Sequence, residues 1–100
     1  MDLRNPFTTE TKALWAFAYS CDKCGHNNNH EYHHIMGRES NSPLNCAFIC
    51  HDCHKNVYSW GEKIKSYFLK KTLRYLLSVN YKLDKRDVEF YNKYKRLYDL

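Results

Sequence analysis

Glycine and proline are scarce in this 100-residue chain, three and two residues respectively, which excludes collagen-like and linker-dominated architectures. No stretch reaches the roughly 18 to 20 uninterrupted apolar residues that a membrane-spanning helix needs. The first residues, Met1-Asp2-Leu3-Arg4-Asn5-Pro6, lack the basic start and apolar run of an export signal. A soluble, cytoplasmic protein without a membrane partner is expected. The five cysteines are an odd number, set in close pairs among histidines; without an export signal this argues against a disulfide framework and for metal in a reducing compartment. There is no internal repeat and no low-complexity tract beyond Asn27-Asn28-Asn29. Hydrophobic residues make up 43 % and aromatics 16 %, nine of them tyrosine, too rich a mixture for a disordered chain. Residues 1–100 are read as one domain. A chain this short buries only about 60 to 70 % of its unfolded surface, so its small core needs a staple.

Charge divides the chain. Residues 61–100 carry eleven basic and five acidic side chains, a net of +6, whereas residues 1–60 carry five and six, a net of −1, and hold every cysteine and histidine. A Cys/His-rich half followed by a basic, tyrosine-rich half suits a chemical site attached to a polyanion-binding surface.

The spacing of Leu14/Ala18 and Trp15/Tyr19 favours a helix across residues 6–19 behind a cap at Thr8 or Thr9, although Trp15, Phe17 and Tyr19 also alternate as in a strand. Residues 20–30 read as knuckle and loop. Two short strands are expected at residues 32–36 and 44–49, joined by the polar loop Arg38-Glu39-Ser40-Asn41-Ser42-Pro43. Helical spacing starts at Cys50 and is bent or ended by Trp60-Gly61. A longer helix follows at 62–79, with Ile64, Tyr67, Phe68, Leu73, Leu76 and Leu77 as its apolar face and Lys63, Lys65, Lys70, Lys71 and Arg74 off it. Asp84 caps a last helix in which Val88, Tyr91, Tyr94, Leu97 and Tyr98 recur three or four apart.

Two C-x2-C pairs, Cys21/Cys24 and Cys50/Cys53, lie 25 residues apart. Each pair chelates one face of a tetrahedral zinc ion, so four thiolates make one structural Zn2+ site. The interval is long for a zinc ribbon and leaves room for a β-hairpin between the knuckles. Apparent zinc-binding energies of roughly 10 to 16 kcal/mol match a whole small domain's stability, which rescues the undersized core. Cys46 is the unpaired fifth cysteine and reads as a small buried hydrophobe.

Within and beside that hairpin run Glu31-Tyr32-His33-His34-Ile35, then Asn45, then Cys50-His51-Asp52-Cys53-His54. On these residues the chain resembles the HNH endonuclease family, in the form of a small phage-like member with a four-cysteine zinc site. The resemblance spans residues 20–58. It implies an α+β fold: a zinc-stapled ββα-metal core with additional N- and C-terminal helices, residues 61–100 forming the basic helical extension. His34 matches the family's first histidine, Asn45 its asparagine and His54 its final histidine. His33 matches the Asp or His that precedes the first histidine. The chain departs from the pattern at Tyr58, where many members carry a further histidine, and at Cys46, where leucine commonly follows the asparagine.

The resemblance implies a metal-dependent DNA endonuclease in which His34 is the general base and His33 with His54 holds one divalent metal such as Mg2+, Mn2+ or Ni2+, while Asn45 orients the His34 segment. The chemistry agrees: phosphodiester hydrolysis needs an activated water and stabilisation of the charge that develops on phosphate and leaving oxygen, which an imidazole and a divalent cation supply. Adjacent strand residues point to opposite faces, so His33 and His34 share one site only across a bend or bulge; otherwise one of them stands outside it. Arg38 is a candidate phosphate contact through its guanidinium fork, and Glu31 a candidate carboxylate behind a ligand. His30 lies near the proposed site and is a lesser candidate for a phosphate contact, His26 reads as a loop histidine, and His51 is expected to face solvent. The basic helices are expected to contact DNA backbone, with their tyrosines in the core. Two alternatives stand beside this: a non-catalytic zinc-binding module for nucleic acid or protein, and an accessory subunit of a larger DNA-processing complex. A phage-encoded chain would work in the host cell cytoplasm.

Overall fold

A computed structural model describes residues 6–16, 18, 21, 24, 25 and 30–100, and of Tyr58 the backbone only. The readings made at Phe17, Tyr19, His26, residues 27–29 and the Tyr58 side chain lie outside these residues. The fold is a small α+β arrangement: one two-stranded sheet with helices before and after it.

Strand β1 (His30–His34) pairs antiparallel with β2 (Cys46–Cys50) in the register His30↔Cys50, Tyr32↔Phe48 and His34↔Cys46. A lone hairpin is marginal in water, and this one is covered. All five residues of β2, Cys-Ala-Phe-Ile-Cys, are buried, which explains why that strand is apolar throughout while β1 carries four polar residues in five. The loop re-enters the sheet through one turn of 3-10 helix, Pro43–Asn45, capped by the Ser42 hydroxyl, which accepts from the Leu44 amide at 3.1 Å. Helix α2 (His51–Lys55) follows β2 without a spacer.

Helix α1 (Thr9–Ala13) starts at Thr8, whose side chain accepts from the Thr11 amide. It ends well before residue 19. The chain beyond it folds back on the long helix, where Trp15 stacks on Tyr75 and the Tyr75 hydroxyl donates to the Leu14 carbonyl at 2.5 Å. That long helix, α3 (Glu62–Ser78), stops in a Schellman arrangement: Asn80 takes φ 62°, and the amides of Tyr81 and Asn80 donate to the carbonyls of Leu76 and Leu77. Helix α4 (Lys85–Lys93) opens on a capping box between Asp84 and Asp87, and α5 (Lys95–Tyr98) follows a break at Tyr94. The single final helix expected from the spacing is therefore two.

The buried face of α3 differs from the apolar stripe expected for it. Ser66, Phe68, Leu69, Thr72 and Leu76 point inward, whereas Tyr67 and Leu77 are 50 % and 55 % exposed. Two hydroxyls make the inner face compatible with burial: Ser66 donates to the Leu97 carbonyl at 2.5 Å and Thr72 to the Cys46 carbonyl at 2.7 Å. Each joins α3 to another element, α5 in one case and β2 in the other. The core is formed by Leu44, Phe48 and Ile49 from the hairpin region, Phe68, Leu69 and Leu76 from α3, and Phe90 and Leu97 from the last helices. Among the described residues no helix is long and apolar enough to cross a membrane.

Candidate metal centre and hairpin site

The two knuckles meet at one end of the hairpin. Cys50 is the last residue of β2 and Cys53 sits in α2; Cys21 and Cys24 come from the segment before β1. Gly25 turns the first knuckle at φ 83°, a conformation that side chains resist, and the Cys24 amide donates to Cys21 Sγ at 3.4 Å. All four Sγ atoms lie within 4.8 Å of one another, and Cys24 Sγ is 3.6 Å from Cys50 Sγ. A tetrahedron of sulfurs around zinc has edges of about 3.8 Å at the usual Zn–S length, so the donor set fits. Burial and hydrogen bonds from the other three cysteines push the Cys53 thiol up. A divalent cation is what would let four such thiolates coexist. Among the described residues this is the only cluster of three or more metal-ligating side chains.

The strand alternation sorts the histidines. Glu31 and His33 face α2: the His33 ring lies 5.0 Å from that of His54 and 5.2 Å edge-on from Trp60. Glu31 accepts from two imidazoles, through Oε1 from His54 Nδ1 at 2.6 Å and through Oε2 from His51 Nδ1 at 3.0 Å. These bonds hold the Glu31 carboxyl below its usual range, the one from His54 contributing most. With Nδ1 committed to a carboxylate, His54 keeps Nε2 for a metal, the arrangement common behind metal-bound histidines. His51 is exposed, as expected, but its contact with Glu31 was not. It lies three residues before His54 and therefore on the same face of the helix, a spacing that could have disclosed it.

His34, Tyr32 and His30 face the other way. The His34 ring stacks on Phe7 with centroids 3.9 Å apart and is 8 % exposed; His30 stacks on Phe48. The ladder runs through His33↔Ala47 and His34↔Cys46 and on to the Ile35 amide, which donates to the Asn45 carbonyl at 2.8 Å. Neither a bend nor a bulge separates the two histidines. His34 borders a depression of about 320 Å³ shared with Phe7, Lys12, His30, Glu31 and Arg38. The structure thus groups His33 with His54, and His34 with Arg38, and Glu31 borders both groups. Phe7, Lys12 and Trp60 give no sequence signal for these places, since each arrives through contacts distant in the chain.

Asn45 is fully buried. Its Oδ1 accepts from the Met36 amide at 2.7 Å, and its Nδ2 donates to the carbonyls of Gly37 and Ser40, both at 2.9 Å. One side chain therefore fixes the loop that leaves His34. Behind it stands a second buried group, Asp87, which is 0 % exposed. Asp87 accepts from Ser42 Oγ and Tyr81 Oη, each at 2.5 Å, and from the Asp84 amide at 2.9 Å. The Ser42 carbonyl in turn accepts from the Asn45 amide at 2.9 Å. The carboxylate on α4 thereby braces the loop that Asn45 organises.

Burial, followed by the charges of His54, His34, Lys65 and Arg38, brings the His33 imidazole down to about 4 from its ordinary 6.5. It is neutral at pH 7, the state in which a ring nitrogen ligates metal. Because the folded value is depressed, the folded state binds fewer protons here. Its contribution is complete above pH 6.5 and is lost as pH falls through about 4. A shift of this size corresponds to about 3 kcal/mol. Urea titrations at pH 7 and pH 4 should show wild type losing about that much more stability than His33→Gln; equal losses would contradict the burial of a neutral ring.

No family model, curated protein or solved structure matches the chain.

Proposed function

We propose that this chain is a metal-dependent DNA endonuclease of the HNH type, its core the ββα unit of β1, β2 and α2. The observation that carries the reading is the facing of the His33 and His54 rings at 5.0 Å, with Glu31 holding His54 through Nδ1. The buried bonding of Asn45 to the loop after His34 supports it.

His33 and His54 would hold a divalent cation such as Mg2+, Mn2+ or Ni2+. When bound, that ion would supply positive charge against the negative charge that develops during phosphodiester hydrolysis. With no bend or bulge in β1, His34 stands on the opposite face from His33 and His54, so base and ligands would act on one scissile phosphate only where it lies at the end of the strand, between the two faces. His34 takes a proton from water as the water oxygen bonds to phosphorus and the P–O3′ bond breaks; the departing 3′ oxygen takes a proton from solvent, leaving 5′-phosphate and 3′-hydroxyl ends. Arg38 and Lys12, on the rim of the depression that His34 borders, place cations where the phosphate would sit. The four-thiolate site, read as Zn2+, holds the scaffold and takes no part in the chemistry.

Supercoiled plasmid incubated with the protein and each of the three cations tests this. Wild type is expected to nick or cut, EDTA to stop it, and His34→Ala to lose about 10²- to 10⁴-fold in rate, while His54→Ala demands more cation for the same rate. If wild type is as inert as His34→Ala with every cation, the reading fails in favour of a non-catalytic zinc module. If His34→Ala cuts as fast as wild type, the base is misassigned.

A further inference from the structure

The excess positive charge of residues 61–100 is not evenly available. On α4 and α5 much of it is neutralised within the molecule: Arg86 faces Asp84 and Asp87, Lys93 faces Glu39, and Arg96 faces Glu62. Helix α3 differs, since Glu62 at its first position is its one acid. Tyr67, Lys70, Lys71, Arg74 and Leu77 follow at intervals of three and four and so share a face. Arg74 enters no ion pair among the described residues, and Lys70, which lines the same groove, donates to a backbone oxygen of Leu100. Tyr67 and Leu77 on this face are half or more exposed, and Lys71 Nζ lies 5.8 Å above the Tyr67 ring.

Beside this face is a groove of about 290 Å³ lined by Lys70, Leu73, Arg74, Tyr91 and Tyr98. The two tyrosine rings are 4.7 Å apart, so aromatic walls stand below two cations. A duplex offers such a surface its phosphates alone, because its bases are stacked inside. An unpaired strand offers phosphates and base faces together, and interleaved cations and aromatics satisfy both.

We infer that the outer face of α3 and its groove bind single-stranded DNA, with Tyr67 and Tyr91 as stacking surfaces and Arg74 and Lys70 as phosphate contacts. This deepens the proposed nuclease reading by naming the form of its substrate, a site with an unpaired segment, and rests on that reading for the identity of the nucleic acid.

Fluorescence anisotropy with a labelled oligothymidylate of about twelve nucleotides, against a duplex of equal length, tests it. Wild type should prefer the single strand. Tyr67→Ala, at a half-exposed position, and Tyr91→Leu should each weaken single-strand binding about tenfold and leave duplex binding within about twofold. Arg74→Gln should reduce the slope of log affinity against log salt by about 0.7. Equal affinity for duplex and single strand, or unchanged binding by both tyrosine variants, overturns the inference. Single-strand preference without plasmid cleavage overturns the nuclease reading and leaves this surface standing; cleavage without the preference does the reverse.

Discussion

Cys53→Ser is expected to leave the chain unfolded at 25 °C. The four sulfurs join the segment before β1 to the junction of β2 and α2, and the hydrophobic core of this short chain is small. Structural zinc contributes roughly 10 to 16 kcal/mol of apparent binding energy, against about 5 to 15 kcal/mol of net stability for a typical domain. A thiolate loss that releases the zinc would therefore remove as much as the fold has. Circular dichroism and zinc analysis check this: wild type should carry one zinc per chain through mild chelation, and both the variant and strongly chelated wild type should lose helical signal. A variant that melts with wild type would show that the cluster does not hold the fold.

Asp87→Ala is expected to cost about 3 to 5 kcal/mol, the range for stripping one partner from a buried charged network. The substitution strands the buried Ser42 hydroxyl and also takes their shared acceptor from the partly buried Tyr81 hydroxyl and Asp84 amide. Tyr81→Phe removes one of the three bonds and should cost only about 1.5 to 3 kcal/mol. Urea denaturation gives both numbers. The damage should also appear at a distance: the Met36 amide, which donates to Asn45, should exchange with solvent faster in Asp87→Ala than in Tyr81→Phe, because only Asp87→Ala releases Ser42. Equal exchange in the two variants would confine Asp87 to capping α4.

The parts legible in sequence were those whose chemistry is local. Two C-x2-C pairs announce a four-thiolate site by spacing alone, and the structure brings Cys21, Cys24, Cys50 and Cys53 together. The hairpin was legible as two short runs, but both strands were misplaced by about two residues. Residues 44 and 45 belong to a 3-10 turn set by Ser42 and Pro43, and β1 starts at His30 because its ladder extends to Cys50. The inner face of α3 was hidden by Ser66 and Thr72, whose hydroxyls find carbonyls on α5 and β2; a hydropathy pattern reads such residues as outward and turns the helix by one position. That error placed Tyr67 in the core and concealed an outer face of cations and rings. The stack of Phe7 on His34 and the bracing of Ser42 by Asp87 join residues far apart in the chain, and no local pattern encodes them.

The pairing of β1 with β2 also determines where this chain tolerates a change of length. The hairpin is anchored at one end by the thiol cluster at Cys50 and at the other by Asn45 and its three loop bonds. One residue added inside β1 would swap its faces, sending Glu31 and His33 away from α2 and bringing Tyr32 and His34 toward it. One residue added between Arg38 and Glu39, which are exposed and lie within the loop spanned by Asn45, displaces no strand residue. Length variation in this hairpin is therefore confined to its tip, and the spacing from His30 to His34 is as much a part of the site as the side chains themselves.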